Sequence, residues 1–217
     1  MTTEAGSSAP LVDDEIEPTI TQSDVVFDGK IWDVRRETFT YNGAEVVREF
    51  VAHTGAVAVL AIDDDDNVLL IKQYRHPIRK REWEIPAGLL DGDGEDYLVA
   101  AQRELAEEVD LEAAGLSVLT DYATTPGGNN EIIRIYVARG LTATTTAFDR
   151  EDEEADMELR WVALDDIVDG VLARELQNPS LVIASLAAQA SRARGWSTLA
   201  PSDAPWPEYA RLHPEND

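Results

Sequence analysis

The chain of 217 residues carries 43 acidic against 18 basic side chains, a net charge of −25, and it contains no cysteine. Such a surface repels nucleic acid and anionic lipid, and without cysteine there are no disulfides, thiolate metal ligands or cysteine nucleophile. No apolar run reaches the length of a membrane span, and the acidic N-terminus lacks the layout of a signal peptide. We therefore expect a cytoplasmic protein that binds neither nucleic acid nor membrane.

The first part of the chain is predicted to be rich in β-strands. Residues 1–20 mix Ser, Thr, Pro and acids, a composition typical of a disordered tail. Residues 21–53 alternate apolar and polar side chains around a Tyr-Asn-Gly turn at 41–43, which predicts an N-terminal antiparallel β extension. A buried strand at 55–62 and a returning strand at 68–75 follow.

The second part of the chain alternates helical and strand patterns. Apolar side chains at Leu98, Ala101, Leu105 and Val109 recur at spacings of three and four, which predicts a helix from about 96 to 109. Further strands are predicted at 116–123, 132–138 and 159–163, and further helices from about Asp165 and from Pro179 to about Gly195. We predict one mixed α/β domain over residues 54–197 and an irregular, proline-rich tail over 198–217.

The predicted helix at 96–109 carries a cluster of carboxylates. Glu104 and Glu108 lie one turn apart on the same face, a repulsive arrangement unless a cation intervenes. Arg103 lies four residues before Glu107 and can pair with it. Carboxylate oxygens suit Mg²⁺ and Mn²⁺, so Glu104 and Glu108 are candidate metal ligands. The alternative is a solvated acidic helix face.

The stretch from Gly88 to Leu111, GLLDGDGEDYLVAAQRELAEEVDL, resembles the Nudix box. That motif runs Gly, five residues, Glu, seven residues, then Arg-Glu-apolar-X-Glu-Glu-X-Gly-apolar, and seven of its nine defined positions match here. Two positions depart from it. Six residues separate Gly88 from Glu95, and Asp110 replaces the usual glycine at the helix end, at a cost of about 1 kcal/mol for a left-handed conformation.

The resemblance implies a Nudix-type α/β/α sandwich with a mixed sheet, and hydrolysis of a nucleoside diphosphate linked to another group. By the same resemblance, Glu104 and Glu108 bind metal together with the backbone carbonyl of Ala87. The metal expected is Mg²⁺, with Mn²⁺ as the alternative. Box positions with a structural role are Gly88, Glu95, Arg103 and Glu107.

The flanks of the box resemble ADP-ribose pyrophosphatases, which implies hydrolysis of ADP-ribose to AMP and ribose 5-phosphate. The segments that carry this likeness are EWEIPAG before the box and TTPGGNNE after it. Pro126 lies fifteen residues past Leu111, where that subfamily tends to carry a proline, and is expected at the substrate pocket; the alternative is a simple turn. Arg75, in QYRHP, is expected to bind phosphate through its planar fork; the alternative is a surface salt bridge.

A general base is also required and need not come from the box. In similar pyrophosphatases a glutamate from the loop before a late strand moves in when substrate binds. Glu154 matches best, with Glu153 as the alternate, in the segment DREDEEADMELRW. The alternative is an acidic loop without a catalytic role.

The N-terminal β extension also resembles this subfamily, in which strands exchange between two subunits. We therefore expect a homodimer, with Ile31, Trp32 and Arg48 as candidates for contacting the nucleotide across the interface. Three other functions compete: a pyrophosphatase for other nucleotide sugars or dinucleotide polyphosphates, a non-catalytic module that senses ADP-ribose, and an acidic protein-interaction domain.

Overall fold

The computed structural model describes residues 10–92, 94–145 and 157–214. The chain divides into two compact units, Met1–Val51 and Ala52–Asp217, and each is described by itself. Within the described ranges no helix has both the length and the apolar character needed to cross a membrane.

The first unit is a three-stranded sheet. Its strands are β1 (Thr19–Phe27), β2 (Asp33–Tyr41) and β3 (Ala44–Ala52), in the order β1-β2-β3. Asn42 and Gly43 join β2 to β3 with positive φ at both residues, 50° and 75°, as the predicted Asn-Gly turn requires. β1 is exposed along its whole length, so apolar side chains such as Val25 and Phe27 lie on the surface.

The second unit contains the other strands and all the described α-helices. The strands are β4 (Ala56–Ala61), β5 (Asn67–Arg75), β6 (Lys80–Glu84), β7 (Ala87–Leu89), β8 (Leu111–Ala123), β9 (Ile132–Ala143), β10 (Glu158–Ala163) and β11 (Ala200–Pro201). The helices are α1 (Tyr97–Val109), α2 (Leu164–Leu172), α3 (Pro179–Arg192) and α4 (Pro207–Leu212).

Two sheets form the centre of this unit. One is mixed, in the order β11-β8-β9-β4-β7, with β4 parallel to β9 and the other neighbours antiparallel. The other is antiparallel, in the order β10-β5-β6. The predicted class, an α/β fold with a mixed sheet and an N-terminal β extension, is the one observed.

Helices cover both faces of β4, which explains why this strand is apolar at every position. Val57 and Val59 face one way and pack in a core with Leu105 of α1. Ala58 and Leu60 face the other way and pack in a second core with residues of α2 and α3. A strand buried on both faces needs a continuous apolar run rather than alternation, and β4 is buried throughout.

Strand β8 begins earlier than its pattern predicts, at Leu111 rather than at residue 116. The added residues pair with the end of β9, Leu111 with Ala143 and Ala113 with Leu141, which likewise runs past its predicted end. The alanines and glycines in these extensions have low strand propensity, so the sequence pattern does not mark them as strand. The cross-strand pairing between β8 and β9 supplies what local propensity lacks.

The C-terminal segment differs from the irregular tail that its composition predicts. It adds β11 to the mixed sheet and forms α4, with Trp206 and Tyr209 each only 4 % exposed. Their rings pack against Tyr97 at centroid distances of 5.3 and 5.0 Å. The proline of α4 stands in its first turn, where no backbone donor is required. Tertiary burial of aromatic rings therefore orders a segment that sequence pattern alone marks as loop.

Candidate active site

Helix α1 presents the two candidate metal ligands beside the core. Its start is capped by Asp96, whose side chain accepts from the backbone N–H of Leu98 at 2.8 Å. Its apolar positions Leu105 and Val109 are buried in the core. Glu104 and Glu108, each one residue before an apolar anchor, are thereby drawn into the protein and are 9 % and 6 % exposed. Two carboxylates one turn apart are therefore buried together.

Gly88 of β7 creates the space for Glu104. A Cβ built on Gly88 would lie 1.9 Å from both Cδ and Oε1 of the Glu104 carboxylate. Carbon atoms in contact normally stay about 3.5–4.0 Å apart, so any side chain at this position would displace the carboxylate. Glycine at 88 is therefore required by the close approach of Glu104 to the strand.

Glu108 is held by the backbone of the same strand. Its Oε2 accepts from the N–H of Ala87 at 2.9 Å. Pro86 and Leu90 direct their hydrogen-bonding groups to β4, through Val59 N–H to Pro86 O and Leu90 N–H to Gly55 O. Backbone groups alternate sides along an antiparallel strand, so the N–H and C=O of Ala87 both point away from β4. The Ala87 carbonyl is therefore directed to the same side as Glu108.

Arg103 forms ion pairs with three carboxylates of the box. It donates to Glu95 from Nε at 3.1 Å and from Nη2 at 3.0 Å, in a bidentate pair. Its Nη1 donates to Glu107 at 3.1 Å, the pair that the helical spacing predicts, and also to Glu104 at 2.5 Å. These carboxylates, Glu95 first among them, raise the pKa of Arg103 above its ordinary value. Arg103 thus offsets the charge of three acids and joins the loop before α1 to the helix.

The donors present suit a hard divalent cation. Glu104 and Glu108 supply carboxylate oxygens, Ala87 supplies a carbonyl on the same side, and the missing side chain of Gly88 leaves room for the Glu104 carboxylate. Among the residues that the structure describes, no group of three or more His, Cys, Asp or Glu side chains is arranged to hold a metal. The two glutamates therefore need backbone, water or substrate oxygens to complete a coordination sphere, which is the usual situation for Mg²⁺.

Arg75 lies at the end of β5, where it forms an ion pair with Glu84 of β6. Nε donates to Oε1 at 2.9 Å and Nη2 to Oε2 at 2.7 Å. The Glu84 side chain is 3 % exposed, whereas that of Arg75 is 42 % exposed. The pairing partner was not expected from the sequence, and the available signal was an acid at an inward position of the strand segment EWEIPAG.

Pro126 lies in a turn between β8 and β9. The N–H groups of Gly128 and Asn129 both donate to the carbonyl of Thr125, at 2.9 and 3.0 Å. Glu131 closes the base of this loop by accepting from the Thr124 hydroxyl at 2.6 Å. The turn is therefore an ordered element rather than a slack connection.

The other predicted site residues belong to the first unit or lie outside the described residues. Ile31, which is 70 % exposed, and Trp32 and Arg48 belong to the first unit, where Arg48 donates to the carbonyl of Val47 at 2.8 Å. Glu153 and Glu154, the candidate bases, lie outside the described residues.

A buried arginine was missed by the sequence analysis. Arg134 of β9 is 2 % exposed and donates to both oxygens of Asp121, each at 2.9 Å. It also donates to the carbonyls of Ala204 and Pro205, and its guanidinium lies over the ring of Trp206. The charge stands within an otherwise apolar strand pattern, which is the signal that a partner must be buried with it.

A family model and several known proteins match this chain. The model of the NUDIX domain family matches residues 52–184. The chain is 40 % identical over 185 residues to an ADP-ribose pyrophosphatase of Mycobacterium tuberculosis (strain ATCC 25618 / H37Rv), covering 85 % of this chain and 88 % of that one. It is 38 % identical over 162 residues to an ADP-ribose pyrophosphatase of Bacillus subtilis (strain 168), covering 74 % and 85 %.

A solved structure shares the fold. The crystal structure of an ADP compounds hydrolase superposes with a TM-score of 0.69 and 24 % identity, covering 85 % of this chain and 99 % of that one. The match to the family model and the coverage of both relatives leave one assignment: the chain belongs to the NUDIX domain family.

Proposed function

We propose that the protein is a cytoplasmic, Mg²⁺-dependent pyrophosphatase that hydrolyses ADP-ribose to AMP and ribose 5-phosphate. The observation that carries this proposal is the pair of buried carboxylates, Glu104 and Glu108, set against Gly88 and the backbone of Ala87. The two relatives named ADP-ribose pyrophosphatase, which match over most of their length, support the choice of substrate.

Glu104, Glu108 and the carbonyl of Ala87 are the groups that would hold the metal. A divalent cation held there would neutralise charge on the diphosphate and lower the pKa of the attacking water. Cation binding also relieves the repulsion between the two carboxylates. The chain's own part is to keep these oxygens fixed: the Ala87 N–H orients Glu108, while Arg103 orients Glu104.

A loop glutamate would accept the proton of the attacking water. Glu154 is the proposed base and Glu153 the alternate. Glu154→Gln should lower kcat by about 10²-fold or more, the usual scale of general-base catalysis, and leave KM nearly unchanged. Glu153→Gln is the matched control, and a larger loss there than at position 154 would exchange the two roles.

Arg75 and Pro126 would contribute to substrate binding. The Arg75 guanidinium already shares two donors with Glu84, so its proposed phosphate contact requires donors that this pair leaves accessible or a rearrangement on binding. Arg75→Lys keeps the positive charge beside Glu84 and removes the planar fork. We expect this variant to raise KM for ADP-ribose and to leave the midpoint of thermal unfolding nearly unchanged. An unchanged KM would restrict Arg75 to its ion pair.

We further propose that the protein is a homodimer formed through the first unit. The support is the row of exposed apolar side chains on β1, which a monomer leaves in water. In this arrangement Ile31, Trp32 and Arg48 contact the nucleotide bound to the partner. Sedimentation of the wild type and of a Val25→Lys, Phe27→Lys variant should give a dimer and a monomer, respectively.

The reaction itself is tested by incubating the purified protein with ADP-ribose and Mg²⁺ in ¹⁸O-labelled water and identifying the products. AMP and ribose 5-phosphate, with label in one of them, are the expected result. A panel of other nucleotide sugars and dinucleotide polyphosphates, assayed in parallel, tests the competing substrates. Binding of ADP-ribose without turnover would instead indicate a sensing module.

A further inference from the structure

We propose that His53 is a positioning residue that fixes the loop carrying Pro126, residues 124–131, relative to the strand pair β4–β7 that borders the proposed metal site. This inference rests on the proposed function, because it assumes that the loop borders the substrate. The neutral imidazole of His53, which lies outside the Nudix box and its flanks, would thereby contribute to substrate affinity.

The hydrogen bonds of His53 determine its protonation state. The backbone N–H of Gly55 donates to Nδ1 at 3.1 Å, so Nδ1 must be an acceptor. The neutral ring then carries its proton on Nε2, which lies 3.2 Å from Oε1 of Glu131 and donates to it. Burial lowers the pKa of His53, and the positive potential of His213 adds to this, while Glu131 acts in the opposite direction. Geometry and environment therefore agree on a neutral His53.

Glu131 transmits this contact to the loop. Its other carboxylate oxygen accepts from the Thr124 hydroxyl at 2.6 Å, and its backbone carbonyl accepts from the Thr124 N–H at 3.1 Å. The N–H of His53 itself donates to the side-chain oxygen of Asn130 at 2.8 Å. His53 thus contacts Glu131 and Asn130 at the end of the loop directly, and Thr124 at its start through Glu131.

On its other side, His53 leads into β4, which pairs with β7, the strand that carries Ala87 and Gly88 of the proposed metal site. The carbonyl of Gly55 accepts from the N–H of Leu90, and Val57 pairs with Gly88. The Tyr209 hydroxyl donates to the carbonyl of Thr54 at 3.0 Å, which holds this segment from the C-terminal helix. Loop and metal site are therefore aligned through three residues, 53–55, and the imidazole is the side-chain link.

Substitution of His53 by Asn or by Gln distinguishes the contributions of the two ring nitrogens. Asn at position 53 can offer an acceptor near the site of Nδ1 but is too short to reach Glu131, whereas Gln can offer a donor near the site of Nε2. We expect His53→Asn to raise KM for ADP-ribose about tenfold, the scale of one hydrogen bond, with a much smaller change in kcat. His53→Gln should restore most of the wild-type KM.

Thr124→Val supplies a second variant that does not alter the histidine. It removes the hydroxyl contact to Glu131 and should raise KM in the same direction. Equal KM values for the Asn and Gln variants, or an unchanged KM in both His53→Asn and Thr124→Val, would overturn the proposal.

Hydrogen exchange gives a readout that needs no substrate. The N–H groups of Gly128 and Asn129 should exchange faster in His53→Asn than in the wild type, and His53→Gln should lie close to the wild type. If the wild type does not hydrolyse ADP-ribose, the proposed function fails while exchange still tests the link. If it does hydrolyse ADP-ribose and exchange is the same in all three proteins, the positioning role of His53 fails alone.

Discussion

Replacement of Gly88 by alanine is the perturbation that the structure defines most sharply. The added methyl group would lie 1.9 Å from Cδ and Oε1 of Glu104, and β7 cannot retreat freely because Gly88 pairs with Val57 of β4. The Glu104 side chain must therefore move instead. Its carboxylate would have to shift by about 1.5–2 Å to restore ordinary contact distances.

Such a shift should affect catalysis far more than folding. A displacement of about 1 Å in a catalytic group can cost 10²-fold in rate, so we expect Gly88→Ala to lower kcat by about 10²-fold or more. The clash is with the end of a flexible side chain, so the free energy of unfolding should fall by only about 1–3 kcal/mol. The variant is therefore expected to lose most of its activity and to remain folded.

The assay is Mg²⁺-dependent hydrolysis of ADP-ribose, measured beside urea unfolding of the same preparations. Gly115→Ala is the matched control, because a Cβ at this exposed position of β8 meets nothing within 4 Å. A folded Gly88→Ala protein with a rate within about threefold of the Gly115→Ala protein would refute the reasoning, since that loss is under 1 kcal/mol of transition-state stabilisation.

Three further predictions follow from single residues. Glu108→Gln keeps an acceptor for the Ala87 N–H but loses the charge, so kcat should fall by orders of magnitude while circular dichroism stays that of the wild type. Asp110 has φ 55°, a left-handed conformation that strains a residue with a Cβ. Asp110→Gly should therefore raise the free energy of unfolding by up to about 1 kcal/mol in urea titrations. A lower free energy of unfolding would contradict backbone strain at Asp110. The pKa of His53 lies below its ordinary 6.5, so the folded state binds fewer protons than the unfolded state. The contribution of His53 to the free energy of unfolding should therefore be fully present above pH 6.5 and be lost as the pH falls below it. His53→Gln should make the free energy of unfolding depend less on pH in this range.

Local patterns in the sequence predicted the central elements because their causes are local. The spacing of Leu98, Ala101, Leu105 and Val109 placed the helix that the structure bounds at Tyr97–Val109. The same helical periodicity placed Glu104 and Glu108, which are four residues apart, side by side. Asp110 in a left-handed conformation, expected from its place at the helix end, is also observed.

Contacts between distant segments were beyond that kind of reasoning. Trp206 is ordered by Arg134 and Tyr97, which are 72 and 109 residues away in the chain, so nothing in its own proline-rich neighbourhood indicates burial. The Arg75–Glu84 pair and the His53–Glu131 contact likewise depend on strand register and loop path. Periodicity identifies which face of a strand is buried and leaves open which polar side chains meet there.

The account depends on a divalent cation bound by the two glutamates of α1. Anomalous diffraction from crystals soaked in Mn²⁺ tests this directly. We predict an anomalous peak coordinated by carboxylate oxygens of Glu104 and Glu108 and by the carbonyl of Ala87, at about 2.0–2.3 Å. A fully occupied Mn²⁺ site elsewhere, with these carboxylates free of metal, would contradict the account.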